Sequence, residues 1–193
     1  MIQNRYRWIL GILLISTIAF AGTKDAGGEF RLLGSNWVQV APGMEFYTND
    51  NNILANLAGN VNVAPYIDLR MDADLFFRSD VDFTLFPSAV VSFGHYIEDD
   101  RHINPFARGG AIIVSANDET DLHLGIAGGA EIPIGPRLLL TPSLTAMILN
   151  ASQVMLNLNG GYWIQPGKFL VGMDFGWNGD DYFRLQCDLL FAF

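Results

Sequence analysis

The sequence predicts an all-β chain closed into an antiparallel transmembrane barrel of about ten strands, with eight as the alternative. Three observations carry this. Apolar residues recur with period two along most of the chain, the mark of strands whose two faces meet different media. The chain also ends on such a strand. Phe183, Leu185, Cys187, Leu189, Phe191 and Phe193 form one row, and Tyr182, Arg184, Gln186, Asp188, Leu190 and Ala192 the other. The composition, finally, is wrong for a water-facing surface. It is 50% apolar and 12% aromatic, with 20 glycines, and only 16% charged, where soluble surfaces commonly carry roughly 25–35% charged residues. With no long apolar run after the amino terminus, that mixture suits strands whose outer wall faces lipid.

The amino end reads as an export signal. Arg5 and Arg7 precede the apolar run Trp8 to Phe20, and Ala19-Phe20-Ala21 is a small-x-small cleavage site. The run has 13 residues, interrupted by Gly11, Ser16 and Thr17, whereas a membrane helix needs about 18 or more. Cleavage after Ala21 would make residues 1–21 a signal peptide and residues 22–193 one barrel domain; 193 residues less the 21 removed leaves 172. Loss of Arg5 and Arg7 leaves nine basic against 20 acidic residues. An acidic chain without a basic stretch argues against nucleic acid. Cys187 is the single cysteine, which excludes an intrachain disulfide and a cysteine metal centre. No cysteine lies just after the cut, so nothing suggests a lipoprotein.

Each strand shows two rows. Val38, Val40, Pro42, Met44 and Phe46 oppose Gln39, Ala41, Gly43, Glu45 and Tyr47. The longest alternation, Ile53 to Met71, sets Leu57, Val61, Val63, Ile67 and Leu69 against Asn56, Asn60, Asn62, Asp68 and Arg70. Val81 to Phe93 sets Phe83, Leu85, Ala89 and Val91 against Asp82, Thr84, Ser88 and Ser92. Pro105 to Val114 is weaker, with Arg108 on its polar row. Leu122, Leu124, Ile126, Ala130 and Ile132 oppose His123, Gly125, Gly129 and Glu131. Leu138 to Ile148, Val154 to Tyr162 and Phe169 to Trp177 repeat the pattern, with Thr141, Ser143, Asn157, Asn159 and Asp174 among their polar members. The polar rows are Asn, Asp, Thr, Ser, Gly and a few Arg, without Lys. They fit a hydrogen-bonded interior better than a wet surface, so the apolar rows face outward. Aromatics gather near strand ends (Trp37, Phe46, Phe93, Phe169, Trp177, Phe183, Phe191 and Phe193), as in the paired girdles of membrane barrels.

Nine strands are visible between Asn36 and Phe193. Bacterial single-chain barrels have even numbers, so Glu29–Leu33 is the expected first strand of ten. Counting back from a periplasmic carboxyl end places Gln165–Lys168, Gly135–Arg137, Glu98–Asn104 and Thr48–Asn52 on the periplasmic side. Asn178–Asp181, Leu149–Gln153, Ser115–Asp121 and Asp72–Ser79 are then the outer connections. Pro42, Pro65, Pro87 and Pro142 fall inside predicted strands, where a missing donor calls for bulges or strand ends.

At Asn104-Pro-Phe-Ala-Arg-Gly-Gly-Ala111, Gly125-Ile-Ala-Gly-Gly-Ala-Glu131 and Gly135-Pro-Arg-Leu-Leu-Leu140 the chain resembles the superfamily of small outer-membrane barrels, those similar to the OmpA transmembrane domain and to OmpX. Tyr47-Thr-Asn-Asp-Asn51 is similar to the turn after an early strand in such families. The resemblance covers Phe30 to Phe193. It implies location in the cell outer membrane of a Gram-negative-type bacterium. The implied partners are the membrane's lipid and lipopolysaccharide and the machinery that assembles barrels, with Phe193 as the carboxyl-terminal assembly signal. It implies fold more strongly than any one activity.

Chemistry is sparse. His123, Glu131 and Ser143 share the inner rows, but His123 and Glu131 stand eight residues apart on one strand, about 26 Å at 3.3 Å per residue, far beyond triad distance. His95 and His102 are too few for a metal site. No catalytic residue, metal or cofactor is expected, and a lipid A-modifying enzyme is the most distant alternative. The inward charges Glu45, Asp68, Arg70, Arg108, Asp174, Arg184 and Asp188 are expected to form a polar network filling the lumen. A narrow pore lined by the same groups is the first alternative. Asp72, Asp74, Asp118, Glu119, Asp121, Asp180 and Asp181 are expected in acidic outer loops, able to meet lipopolysaccharide through divalent cations. The expected role is non-enzymatic: membrane integrity or surface interaction.

Overall fold

The computed structural model describes residues 32–47, 51–77, 81–93, 103–116, 119–148, 153–179 and 182–193. Ten strands form one closed barrel. They are β1 (Trp37–Tyr47), β2 (Asn51–Ala64), β3 (Ile67–Phe77), β4 (Val81–Ser92), β5 (Asn104–Ala116), β6 (Glu119–Ile134), β7 (Leu138–Ile148), β8 (Gln153–Gln165), β9 (Phe169–Trp177) and β10 (Tyr182–Ala192). Every strand pairs antiparallel with its neighbour in sequence, and β1 closes on β10. Closure leaves no sheet edge, the condition for strands to stand in lipid. No helix occurs among the described residues.

Ten is the expected number, reached by a different route. The alternation from Ile53 to Met71 is two strands, joined at Pro65-Tyr66, where Tyr66 takes a positive φ of 66°. A plain two-residue turn would shift the phase of the alternation. Here the register slips by one between Asn62 and Ala64. Asn62 pairs with Asp68 and Ala64 with Ile67, so one bulged residue restores the phase and the pattern runs through the turn unbroken. Glu29–Leu33 is accordingly not the first strand. Residues 29–31 lie outside the described residues, and Leu32 and Leu33 belong to a turn.

Trp37 pairs with Ala192 and Tyr47 with Tyr182. The carboxyl end therefore shares one rim with the Pro65-Tyr66 turn and the β4–β5, β6–β7 and β8–β9 connections. Thr48–Asn52, expected at that rim, leads out of the opposite one, as the pairing of Phe46 with Asn51 requires.

The mid-strand prolines do not bulge. Across the β1–β10 seam the paired residues run from Val40–Leu189 to Gly43–Gln186, skipping Pro42 without a change of register. Pro87 and Pro142 are skipped in the same way on the β5 and β6 sides. Each proline keeps its partner on the other side: Ala55, Met71 and Leu158. The missing donor thus costs one local gap. Beside two of these gaps the neighbouring strand carries glycine, paired with the serine that follows the proline: a Cβ on Gly110 would lie 2.1 Å from the Pro87 carbonyl oxygen and one on Gly129 2.4 Å from that of Pro142.

The outer wall is apolar along its whole height. Val40, Met44, Ile53, Leu69, Leu122, Leu124, Ile126, Leu144, Val154, Leu156, Leu158, Val171 and Met173 are all exposed there. Near the carboxyl rim Phe169 stacks on Phe191 at 4.9 Å, beside exposed Tyr66, Phe93, Tyr162 and Phe193. Near the other rim Phe46, Phe175 and Phe183 form a chain of ring contacts beside Trp177 and Phe77. Phe169 and Trp177 are eight residues apart, about 26 Å along the strand and roughly 20 Å of height at the usual barrel tilt. Trp37 is the exception to the expected girdles. It is buried and points inward.

Candidate functional site

The even–odd alternation directs one row of every strand into the lumen, and the closed register decides which side chains meet. At the carboxyl rim the chain entering β1 folds into the mouth of the barrel. Leu32 and Leu33 donate their N–H groups to Glu131 Oε1 at 3.1 and 3.0 Å. Gly34, at a φ of 81° that suits glycine, donates its N–H to Asp68 Oδ2 at 2.9 Å. Trp37 Nε1 donates to the Leu32 carbonyl at 3.1 Å. Two carboxylates from separate parts of the wall, on β3 and β6, therefore hold one turn. Beneath it Trp37, Ala58, Trp163, Leu170 and Leu190 pack into a buried apolar layer, with Leu32 and Ala192 against it.

Beyond that layer, toward the opposite rim, lie the charges. Asp72 accepts from Arg70, whose Nη2 stands 2.7 Å from Oδ1, and from Arg108. Arg108 also donates from Nε to Ser88 Oγ at 2.7 Å and lies 3.9 Å from the centre of the Phe86 ring. Arg70 lies 5.0 Å from the Trp37 ring centre. On the facing wall Arg184 is shared by Asp74 at 3.6 Å and Asp174 at 3.8 Å. Asn56 Nδ2 donates to Asp74 at 2.8 Å. Asp188 accepts from Gln39 at 3.0 Å and from Asn159. Near the far rim Glu45 accepts from the Tyr182 hydroxyl. All of these groups except Ser88, Glu45 and Tyr182 line an internal cavity of about 230 Å³.

The seven charges picked from the sequence all face inward but do not form one network. Asp68 holds the entering turn. Arg70 and Arg108 converge on Asp72, Arg184 lies between Asp74 and Asp174, Asp188 is held by amides, and Glu45 meets Tyr182. Asp72 and Asp74, expected in an outer loop, are the acceptors that organise the middle of the lumen. Their signal was legible: Ala73, Leu75 and Phe77 continue the odd, outward row past Met71, which leaves Asp72 and Asp74 on the row of Asp68 and Arg70.

His123 and Ser143 are not brought together. Ser143 pairs with Gly129, six residues along β6 from His123, about 20 Å at 3.3 Å per residue. Glu131 is engaged with the entering turn and with Asn104 Nδ2 at 3.3 Å. His95, His102, Asp118, Asp180 and Asp181 lie outside the described residues, while Glu119 and Asp121 are exposed at the far rim. Among the described residues no group of three or more His, Cys, Asp or Glu side chains could hold a metal. Cys187 is exposed on the outer wall. Phe193, also outward, donates its N–H to the Asn36 carbonyl at 3.0 Å.

An apolar wall between two aromatic belts, around a polar and partly stoppered interior, defines the class: a small antiparallel β-barrel built to stand in lipid. No family model matches the chain, and no curated protein matches it. Solved structures do resemble it. The KdgM porin in complex with disordered oligogalacturonate has a TM-score of 0.48 at 8% identity, over 81% of this chain and 99% of that one. The N-terminal β-barrel domain of Pseudomonas aeruginosa OprF gives 0.40 at 11% identity, over 83% and 99%. Outer membrane protein AlkL in lipid bilayers gives 0.39 at 12% identity, over 91% and 96%.

Proposed function

We propose that this chain is an integral barrel of the bacterial outer membrane with a structural, non-catalytic role, and that its lumen is closed to bulk flow. The observation that carries this is the stopper at the carboxyl rim. Trp163, 1% exposed, and Trp37, Leu170 and Leu190 form a buried apolar layer inside the barrel on its β8–β2 side, and the turn at Leu32–Gly34 is tied over it by four hydrogen bonds to or from Glu131, Asp68 and Trp37. A dry layer of this kind is a barrier to hydrated ions. The lumenal charges support the same reading, because each described pair is matched locally rather than ranked along a path. Outer-membrane lipid and lipopolysaccharide would be its surroundings and the barrel-assembly machinery its partner in insertion.

A narrow pore is the second reading, favoured by the cavity of about 230 Å³ between the stopper and the far rim. Planar-bilayer recording separates the two. The folded barrel is expected to give no conductance steps, and Trp163→Ala combined with Leu190→Ala is expected to give them. Steps from the unaltered protein would overturn the closed-lumen reading.

A further inference from the structure

The turn that enters β1 crosses the mouth of the barrel. In the closed ring of ten strands β6 stands opposite β1, five strands away in either direction. Leu32 and Leu33, just ahead of β1, nevertheless donate their N–H groups to Glu131 of β6, and Gly34 donates to Asp68 of β3. Asn104 of β5 donates to the other oxygen of Glu131 and steadies it. The segment is therefore a strap over the β3–β6 part of the opening. The buried apolar layer of Trp37, Ala58, Trp163, Leu170 and Leu190 occupies the β8–β2 part.

The two closures are fastened differently. The residues of the layer sit on the strands and are held by the ladder. The strap ends before Trp37, where pairing with both β2 and β10 begins, so Leu32, Leu33 and Gly34 supply no rung. Its root is fixed on β2: Asn60 Nδ2 donates to the Ser35 carbonyl at 2.8 Å, and the Asn62 N–H donates to Asn36 Oδ1 at 2.9 Å. Ahead of that root, the three N–H bonds to two carboxylates reach across to the far wall. A segment joined by so few bonds opens more readily than the ladder beside it. Space is there as well, since a Cβ built on Gly34 meets no atom within 4 Å. Behind the strap the lumen is hollow. Leu32 and Leu33 line the cavity of about 230 Å³, and its lining continues to Thr84 and Met155, three residues in from Val81 and two in from Gln153 at the far rim. Moving the strap aside thus removes the closure at one end of a chamber that reaches nearly to the other. The lining carries five carboxylates, Glu131 among them, against three guanidiniums, and Asp68 adds another acid at the mouth. Walls of one prevailing sign in a narrow passage admit the opposite ion.

We propose that the Leu32–Gly34 strap is a gate, and that its release from Glu131 and Asp68 admits small monovalent cations through the β3–β6 part of the mouth. The apolar layer stays in place when the strap moves. The gate rests on the closed-lumen reading, because a gate needs a closed state.

The test loosens the strap without touching the wall. Leu33→Pro removes one donor to Glu131. Gly34→Val puts a β-branched residue at a φ of 81°, a conformation such residues avoid. Neither position belongs to a strand, so heat-modifiable gel mobility should show the double variant folded. In planar bilayers this variant is expected to conduct in steps, and its reversal potential in a KCl gradient should show preference for potassium. Hydrogen exchange followed by nuclear magnetic resonance supplies the second readout. In the unaltered chain the amides of Leu32, Leu33 and Gly34 should exchange at least about tenfold faster than those of the β1 ladder. They should exchange faster still in Asp68→Asn/Glu131→Gln, whose neutral side chains accept more weakly. Silence of the folded Leu33→Pro/Gly34→Val barrel would overturn the gate and leave the closed lumen standing. Preference for chloride, or strap amides no faster than the ladder, would overturn the gate equally. Steps from the unaltered protein would instead overturn the closed-lumen reading, and the gate with it.

Discussion

Asp72 is the residue on which the interior depends most. It takes one hydrogen-bonded pair from Arg70 at 2.7 Å and another from Arg108. Asp72→Asn keeps the shape and removes the charge, so two guanidiniums lose their counter-ion together. The Arg108 side chain is only 10% exposed and the Arg70 side chain 30%, so Arg108 is the more stranded. At an effective dielectric near 20, a charge pair at contact is worth about 4 kcal/mol. Stranding one partner of a buried pair costs about 3–5 kcal/mol, while Arg70 recovers part of its loss through water in the cavity. The expected destabilisation is therefore about 3–5 kcal/mol. With urea slopes of about 1–3 kcal/mol per molar, the unfolding midpoint should fall by roughly 2 M. The assay is tryptophan fluorescence of the barrel folded into phospholipid vesicles and titrated with urea in both directions. Arg108→Gln in the Asp72→Asn background should cost less than it does alone, by about 1–3 kcal/mol of coupling. A midpoint that moves by less than about 0.5 M, or strict additivity of the two changes, would refute the claim that these charges hold one another.

The wall and the proline gaps supply two more tests. Leu144 is 55% exposed midway along β7. Leu144→Arg should cost about 2–4 kcal/mol in vesicles, the depth-dependent penalty at a bilayer midplane, whereas a water-facing wall would leave stability unchanged. Gly110→Val would drive a Cβ into the Pro87 carbonyl, 2.1 Å from its ideal position, and no flexible side chain can yield there. It should lower stability by about 1–3 kcal/mol or more, read as lost heat-modifiable mobility in gels, while the same change at Gly109, whose nearest neighbour is at 4.0 Å, should be mild.

Much of the barrel was legible in the residues because a strand's two faces report two media. Val38 to Phe46, Leu122 to Ile132 and Phe183 to Phe193 each name their outward row directly, and the structure places those rows on the wall. Legibility failed where local geometry preserved the phase. The slip between Asn62 and Ala64 offsets the two-residue turn at Pro65-Tyr66, so no break in the pattern marked the hairpin, and the count was completed with Glu29–Leu33 instead. The same merger displaced Asp72 and Asp74 into a loop.

By itself the sequence determined which residues face lipid and which face the lumen, since that choice is made residue by residue through alternation. It also determined that the chain must close, because strands in lipid cannot leave unpaired backbone. Only the tertiary structure decided which inward groups meet. Arg184 finds Asp74, 110 residues away, and Asp174, and Glu131 finds the turn at Leu32 and Leu33. Those meetings depend on the register of ten strands around a closed ring, and a one-residue slip in any pair changes them while leaving each strand's own pattern intact.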